Sequence, residues 1–155
     1  MAKNVFALYR IRFKLAAVLN ITETVEAVLL ITDMRALEKS KPRHKAAFRN
    51  LLFALAARCN RLLEEILIGT RAIQDRGGVE WEGLAGIGEF ITGKRKEMRH
   101  SQLLLEKGLT GEALLQLAKA KAGLGELAAR MDAIMESEMK LETRRQKLGD
   151  CARIK

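Results

Sequence analysis

The longest regular apolar period in the chain runs from Thr110 to Leu148. Leu117, Leu124 and Met131 are seven residues apart, and a second row with the same spacing begins three positions later, at Ala120. Two such rows form the a/d seam along which helices pack against one another. We therefore expect one long helix here. Its packing interface would consist of Leu117, Leu124, Leu127, Met131, Ile134 and Leu141.

The first part of the chain also has a helical period. The segment Lys3–Lys39 contains neither Gly nor Pro, and its apolar residues recur at three- and four-residue steps. Pro42 disfavours helical geometry at the residue before it, which predicts a helix end near Ser40. Asn20 and Glu23 have the spacing of a capping box, so two helices end to end are the alternative. We favour one continuous helix.

Three further boundaries follow from Gly and Pro positions. A second helix is expected from Pro42 to about Asp75, ended by a Gly-Gly pair. In Glu80–Lys107 each of several glycines costs about 1 kcal/mol in a helix interior, which favours a helix kinked near Gly93. Close helix packing, or a short helix followed by a second one, are the alternatives. For the last helix, Thr110 is the expected N-cap and Gly149 the expected end.

These helices predict an all-α fold: an up-down antiparallel bundle of four helices, or five if Asn20 breaks the first, with long first and last helices. With 155 residues the chain has the size of one domain, which we place at residues 1–149, followed by a basic tail at 150–155. Helices of unequal length leave apolar surface uncovered. We therefore expect self-association or a place in a larger assembly.

Charge narrows the range of functions. The chain has 28 Lys and Arg against 19 Asp and Glu, a formal net charge of +9. Such a field favours polyanionic partners. The basic residues form one cluster around the first turn and another in the third segment, near His44 and His100 respectively. The candidate nucleic-acid-binding residues in these clusters are Lys39, Lys41, Arg43, Lys45, Arg49, Lys94, Arg95, Lys96 and Arg99.

Each cluster has two readings. Runs of this size are often solvated helix faces with no specific partner. Two clusters together with the net charge favour contacts to phosphates, which depend on charge and carry no base information.

The pair Arg95 and His100 resembles the Arg-x4-His signature of HEPN-like ribonuclease domains, which occur in prokaryotic toxin and abortive-infection systems. The matching segment is Arg95-Lys96-Glu97-Met98-Arg99-His100. The resemblance implies a metal-independent RNase completed by dimerisation, with His as general base and Arg stabilising phosphate charge.

Other chemistry finds little support in the sequence. Cys59 and Cys151 match no metal or redox spacing, and we expect both to be reduced thiols in a cytoplasmic protein. The carboxylate pairs lack the Glu-x-x-His motif of di-metal bundles, so we predict no metal and no cofactor. The chain also lacks the roughly 20 uninterrupted apolar residues of a membrane span.

Three functions remain. The first is a non-enzymatic subunit of a nucleoprotein assembly that contacts RNA or single-stranded DNA, broadly similar to the small helical subunits of RNA-guided complexes and the accessory bundles of reverse transcriptases. The second is a protein-only scaffold, adaptor or export-type chaperone. The third is the ribonuclease that Arg95 and His100 suggest.

Overall fold

The computed structural model describes residues 2–32, 34–75 and 86–154, and these residues are almost entirely helical. Their bounds are α1 Ala2–Ile31, α2 Met34–Glu38, α3 Pro42–Asp75, α4 Ile87–Glu106 and α5 Thr110–Ile154. The all-α class with long first and last helices is confirmed. Within the described ranges, no helix has both the length and the apolar content needed to cross a membrane.

The four long helices form the predicted up-down antiparallel bundle, and α2 is a short addition beside α3. Each long helix packs against the next, and α5 closes the ring on α1. The contacts pair early residues with late ones. Ile11 of α1 lies against Gly69 of α3, where an added Cβ would be 3.1 Å from it. Arg12 of α1 binds Asp132 of α5 with an Nε–Oδ1 distance of 2.9 Å.

The core lies along the middle of the bundle, where the apolar stripes of the four helices meet. Every long helix contributes side chains that are 2 % exposed or less. The seam of α5 is buried from Leu117 to Met135, so the predicted helix and the first part of its packing face are confirmed. The largest fully buried apolar side chains are Leu8, Leu15, Val18, Leu63, Ile66, Ile91, Leu124, Leu127 and Met131.

The first helix is continuous through Asn20, as we favoured, but it ends earlier than predicted. It stops at Ile31, and the short α2 occupies most of the remaining distance to Ser40. The Thr32 hydroxyl donates to the Val28 carbonyl at 2.5 Å, and the Thr32 amide donates to the same oxygen at 3.1 Å. The hydroxyl bond is of the same i to i−4 kind that Thr24, Thr92 and Thr143 make inside α1, α4 and α5, so it does not by itself end the helix. A capping box at Asn20 does not form a helix start.

The second helix matches its predicted bounds, whereas α4 begins at Ile87 rather than at Glu80. Residues 76–85, on which the Gly-Gly turn and the predicted start of this segment fall, lie outside the described residues. Gly86 precedes α4 with φ 71°, a left-handed conformation that glycine adopts without strain. From there α4 runs through Gly93 to Glu106 as one helix.

The last helix continues through Gly149 to Ile154, so the predicted end at Gly149 is wrong. Gly149 does not have a positive φ, so it forms no left-handed C-cap. Residues 139–154 are all exposed. At 1.5 Å per residue they form a helical extension about 24 Å long, which we call the distal arm.

Candidate nucleic-acid interface

The first basic cluster lies at the connection between α2 and α3 and on the first turns of α3. Its five members, which we call the turn cluster, are Lys39, Lys41, Arg43, Lys45 and Arg49. All five are exposed, and among the described residues none has a carboxylate oxygen within 4.0 Å. The backbone supports the turn, because the amides of His44 and Lys45 donate to the Lys41 carbonyl at 2.9 and 3.3 Å. None of the five cations therefore forms a direct ion pair with a described carboxylate.

Helix α3 carries further exposed cations beyond the predicted residues. Arg58 and Arg61 are exposed on the same helix, and the chain has no Asp or Glu between Lys39 and Leu63. Sequence reasoning missed both arginines because it treated this stretch as an apolar stripe. The absence of acidic residues over the stretch is the signal that could have identified them.

The second basic cluster lies on α4, beside the middle of α3. The Cys59 Sγ atom is 3.7 Å from the Met98 Sδ atom, which sets the two helices in register. Antiparallel packing then places Arg99 and Arg95 at about the heights of Arg58 and Arg61. At 100° per residue, however, Arg58 points about 180° away from Arg49 on α3, so these arginines do not join the two clusters into one face. We call the turn cluster and these cations of α3 and α4 together the basic flank; its members are Lys39, Lys41, Arg43, Lys45, Arg49, Arg58, Arg61, Arg95, Lys96 and Arg99.

Lys94 is not part of this surface, which corrects its place among the predicted contacts. Its side chain is only 13 % exposed, and its Nζ lies 3.1 Å from a carboxylate oxygen of Glu97. The same ammonium stands 5.2 Å from the centroid of the Phe90 ring. The missing side chain of Gly123 leaves the space in which Lys94 lies. Lys94 therefore helps to pack α4 against α5.

An open cavity of about 210 Å³ adjoins the turn cluster, between the first half of α3 and the neighbouring helices. It forms because the core-facing stripe of α3 becomes more exposed toward its N-terminus. Cys59 and Leu63 of this stripe are buried, Leu52 is half-buried, and Lys45 and Arg49 are exposed. Lys45 and Arg49 thus occupy positions of this stripe at the exposed end of α3.

Arg95 and His100 do not meet within one chain. They lie five residues apart on the uninterrupted helix α4, which separates their directions by about 140°. Arg95 is half-buried and His100 is exposed. A single copy therefore does not assemble the pair of groups that the ribonuclease resemblance requires.

Most of the predicted interface residues pack within the chain itself. Leu117, Leu124, Leu127 and Met131 are buried in the bundle, and Ile134 is half-buried against the core. Leu141, at 41 % exposure, is the one member of the set on the distal arm. Only this end of the seam offers apolar surface to another molecule.

The two cysteines have opposite environments, and both are free thiols. Burial raises the pKa of the Cys59 thiol to about 12, so it stays protonated at neutral pH. Cys151 is exposed on the distal arm. Within the described ranges no three His, Cys, Asp or Glu residues are placed to hold a metal ion.

The fold is an all-α antiparallel bundle with exposed cations on α3 and α4. Comparison with protein-family models, with curated proteins and with solved structures finds no match to this chain. Its function therefore has to be argued from its own surface.

Proposed function

We propose that the protein is a non-enzymatic subunit of a cytoplasmic nucleoprotein assembly, whose basic flank contacts the backbone of RNA or single-stranded DNA. The observation that carries the proposal is the turn cluster. Five exposed cations lie together without a carboxylate partner among the described residues, on a stretch of chain that has no acidic residue.

The binding would be driven mainly by charge. Each Lys or Arg that contacts a phosphate releases condensed counterions, so the affinity depends steeply on salt concentration. Contacts of this kind fix the position of a strand without reading its sequence. The net charge of +9 would also speed the encounter with a polyanion.

The distal arm supports the second part of the proposal, a fixed place among partner subunits. Its Leu148 and Ile154 are 71 % and 87 % exposed. An isolated helix of this length is marginal in water, and packing against another chain would stabilise it.

A protein-only scaffold is the second candidate, favoured by a different surface. Phe6 and Phe13 lie seven residues apart on α1 and are 70 % and 79 % exposed. Exposed aromatic residues on one helix face are typical of protein interaction surfaces. In this reading the basic flank only keeps the protein soluble.

A salt titration of binding to labelled single-stranded RNA and DNA separates the two candidates. The slope of log affinity against log salt is about −0.7 for each phosphate contacted on a single strand. Replacing Lys39, Lys41 and Arg43 with Gln should therefore make the slope shallower by about 2.

The matched control replaces three exposed cations of α5, Lys119, Lys147 and Arg153, with Gln. It makes the same change in net charge, but away from the basic flank, and should leave the slope within about 0.5 of the parent value. No binding at low salt, or equal effects of the two triple variants, would refute a nucleic-acid interface at this surface.

A further inference from the structure

We propose that the cavity beside the turn cluster accepts an unpaired base of the bound strand, so that the protein selects single-stranded over duplex nucleic acid. This inference rests on the proposed function and adds a base-dependent contact to the backbone contacts. It is argued from the shape of the cavity, its aromatic walls and its unpaired polar groups.

The cavity has the size and the walls that a base requires. Its volume is about 210 Å³, and Phe48 and Phe53 of α3 both line it. Phe48 is half-buried and Phe53 is 37 % exposed, so each ring is held by the protein and partly open to solvent. Bases stack on aromatic side chains of this kind, and the contact tolerates any base because each has a π-face.

Two of the four charged residues in the cavity lining are cations that could contact the phosphates of a nucleotide. Lys45 and Arg49 line the same cavity and belong to the basic flank. A base inserted between α3 and α4 would bring its flanking phosphates to these two side chains. Glu38 and Glu106 also line the cavity, but neither lies within 4.0 Å of Lys45 or Arg49.

Two amide side chains supply the polar groups that a base edge needs. Asn60 of α3 and Gln102 of α4 are half-buried in the lining, and neither has a hydrogen-bond partner among the described residues. An amide both donates and accepts, which matches the mixed donor and acceptor edges of bases. A purely aliphatic occupant would leave both amides without a partner.

A duplex cannot make this contact without disruption. Its bases are stacked and paired, and extruding one costs a few kcal/mol. Single strands present bases that are already accessible to aromatic side chains. The cavity therefore predicts a preference for strand over duplex that a charged surface alone would not produce.

The experiment compares two variants on three labelled probes: oligoadenylate, the same oligonucleotide with abasic positions, and a duplex of equal length. Phe53→Leu keeps an apolar side chain and removes the ring. It should weaken oligoadenylate binding by about 5- to 100-fold and leave binding of the abasic probe within about twofold. The control is Phe13→Leu, at an exposed position of α1 outside the cavity. It should change the binding of neither probe.

The second variant, Ala56→Leu, fills the cavity from α3 without removing a contact. It should reduce oligoadenylate binding to the level of the abasic probe while the thermal midpoint stays equal or rises. The parent protein should bind oligoadenylate at least about 5-fold more tightly than the duplex, as a preference for unpaired bases requires.

Failure of this inference can be distinguished from failure of the proposed function. Equal binding of the abasic and normal probes, with a steep salt dependence, would overturn base insertion and leave backbone binding in place. Unchanged oligoadenylate binding by Ala56→Leu would likewise overturn it, leaving the cavity to an apolar protein partner. Absence of binding to every probe at low salt would remove both proposals.

Discussion

Two glycines of α5, Gly123 and Gly125, offer a direct test of how α4 packs on α5. Both lie inside the same helix. A Cβ added at Gly123 would stand 2.5 Å from the Lys94 Cε atom and 2.7 Å from its Nζ, whereas one added at Gly125 would have no neighbour within 4 Å. Alanine at either position improves helix propensity, but only at Gly123 does it displace a side chain.

The expected magnitudes follow from these contacts. Gly→Ala in a helix interior stabilises by about 1 kcal/mol, which is the expectation for Gly125→Ala. At Gly123 the same gain is opposed by displacement of the Lys94 ammonium from the Phe90 ring and from Glu97. A cation–π contact contributes about 0.5–1 kcal/mol and an i,i+3 ion pair about 0.2–0.5 kcal/mol. We therefore expect Gly123→Ala to be close to neutral.

The assay is equilibrium urea unfolding of the parent, the two single variants and each variant combined with Lys94→Ala. In the Lys94→Ala background the obstruction is gone, so Gly123→Ala should regain about 1 kcal/mol, while the effect of Gly125→Ala should not depend on residue 94. For a chain of this size, 1 kcal/mol corresponds to a shift of about 2–4 °C in the thermal midpoint. The reasoning is refuted if Gly123→Ala stabilises as much as Gly125→Ala whichever residue occupies position 94.

Further predictions concern the thiols, the distal arm and the core. Iodoacetamide at neutral pH should label Cys151 and spare Cys59, whose pKa is raised to about 12 by burial; mass spectrometry showing equal labelling would contradict the buried environment. The pKa of the Cys59 thiol is near 9.0 in the unfolded chain and about 12 in the folded protein, so the protonated thiol contributes to stability below pH 9. This contribution to the free energy of unfolding is lost as pH rises toward 12, by up to about 1.4 kcal/mol per pH unit. The free energy of unfolding of a Cys59→Ala variant should lack this pH dependence. Deleting residues 144–154, which are exposed throughout, should change the free energy of unfolding by less than about 0.5 kcal/mol, and a loss above 1 kcal/mol would show that the arm packs on the bundle. Leu63→Ala should cost about 3–5 kcal/mol because the side chain is fully buried, against less than about 0.5 kcal/mol for the exposed Leu115→Ala.

The sequence was sufficient for the architecture because helical periodicity is a local property. The apolar steps predicted helices α3 and α5, Pro42 and the Gly-Gly pair predicted the bounds of α3, and Thr110 predicted the start of α5. The unbroken first segment predicted one helix through Asn20. The end of the first helix was not predictable in this way. It lies at Ile31, although the chain has no Gly or Pro up to Lys39.

The candidate nucleic-acid interface likewise contains residues that the sequence located and one that it did not. Charge clustering in the sequence grouped the five residues of the turn cluster, which the structure shows as exposed, and the missing acids between Lys39 and Leu63 were also visible in the sequence. Lys94 was misassigned because its burial depends on Gly123 of another helix.

The existence of the cavity depends on tertiary structure alone. Lys45 and Arg49 continue the stripe of Cys59 and Leu63 at the same helical spacing. Cys59 and Leu63 are buried, whereas Lys45 and Arg49 are exposed and line the open cavity. The spacing of residues along a helix determines which side chains share a face. Whether that face is covered depends on a neighbouring helix at the same height, and this is set only when the helices pack together.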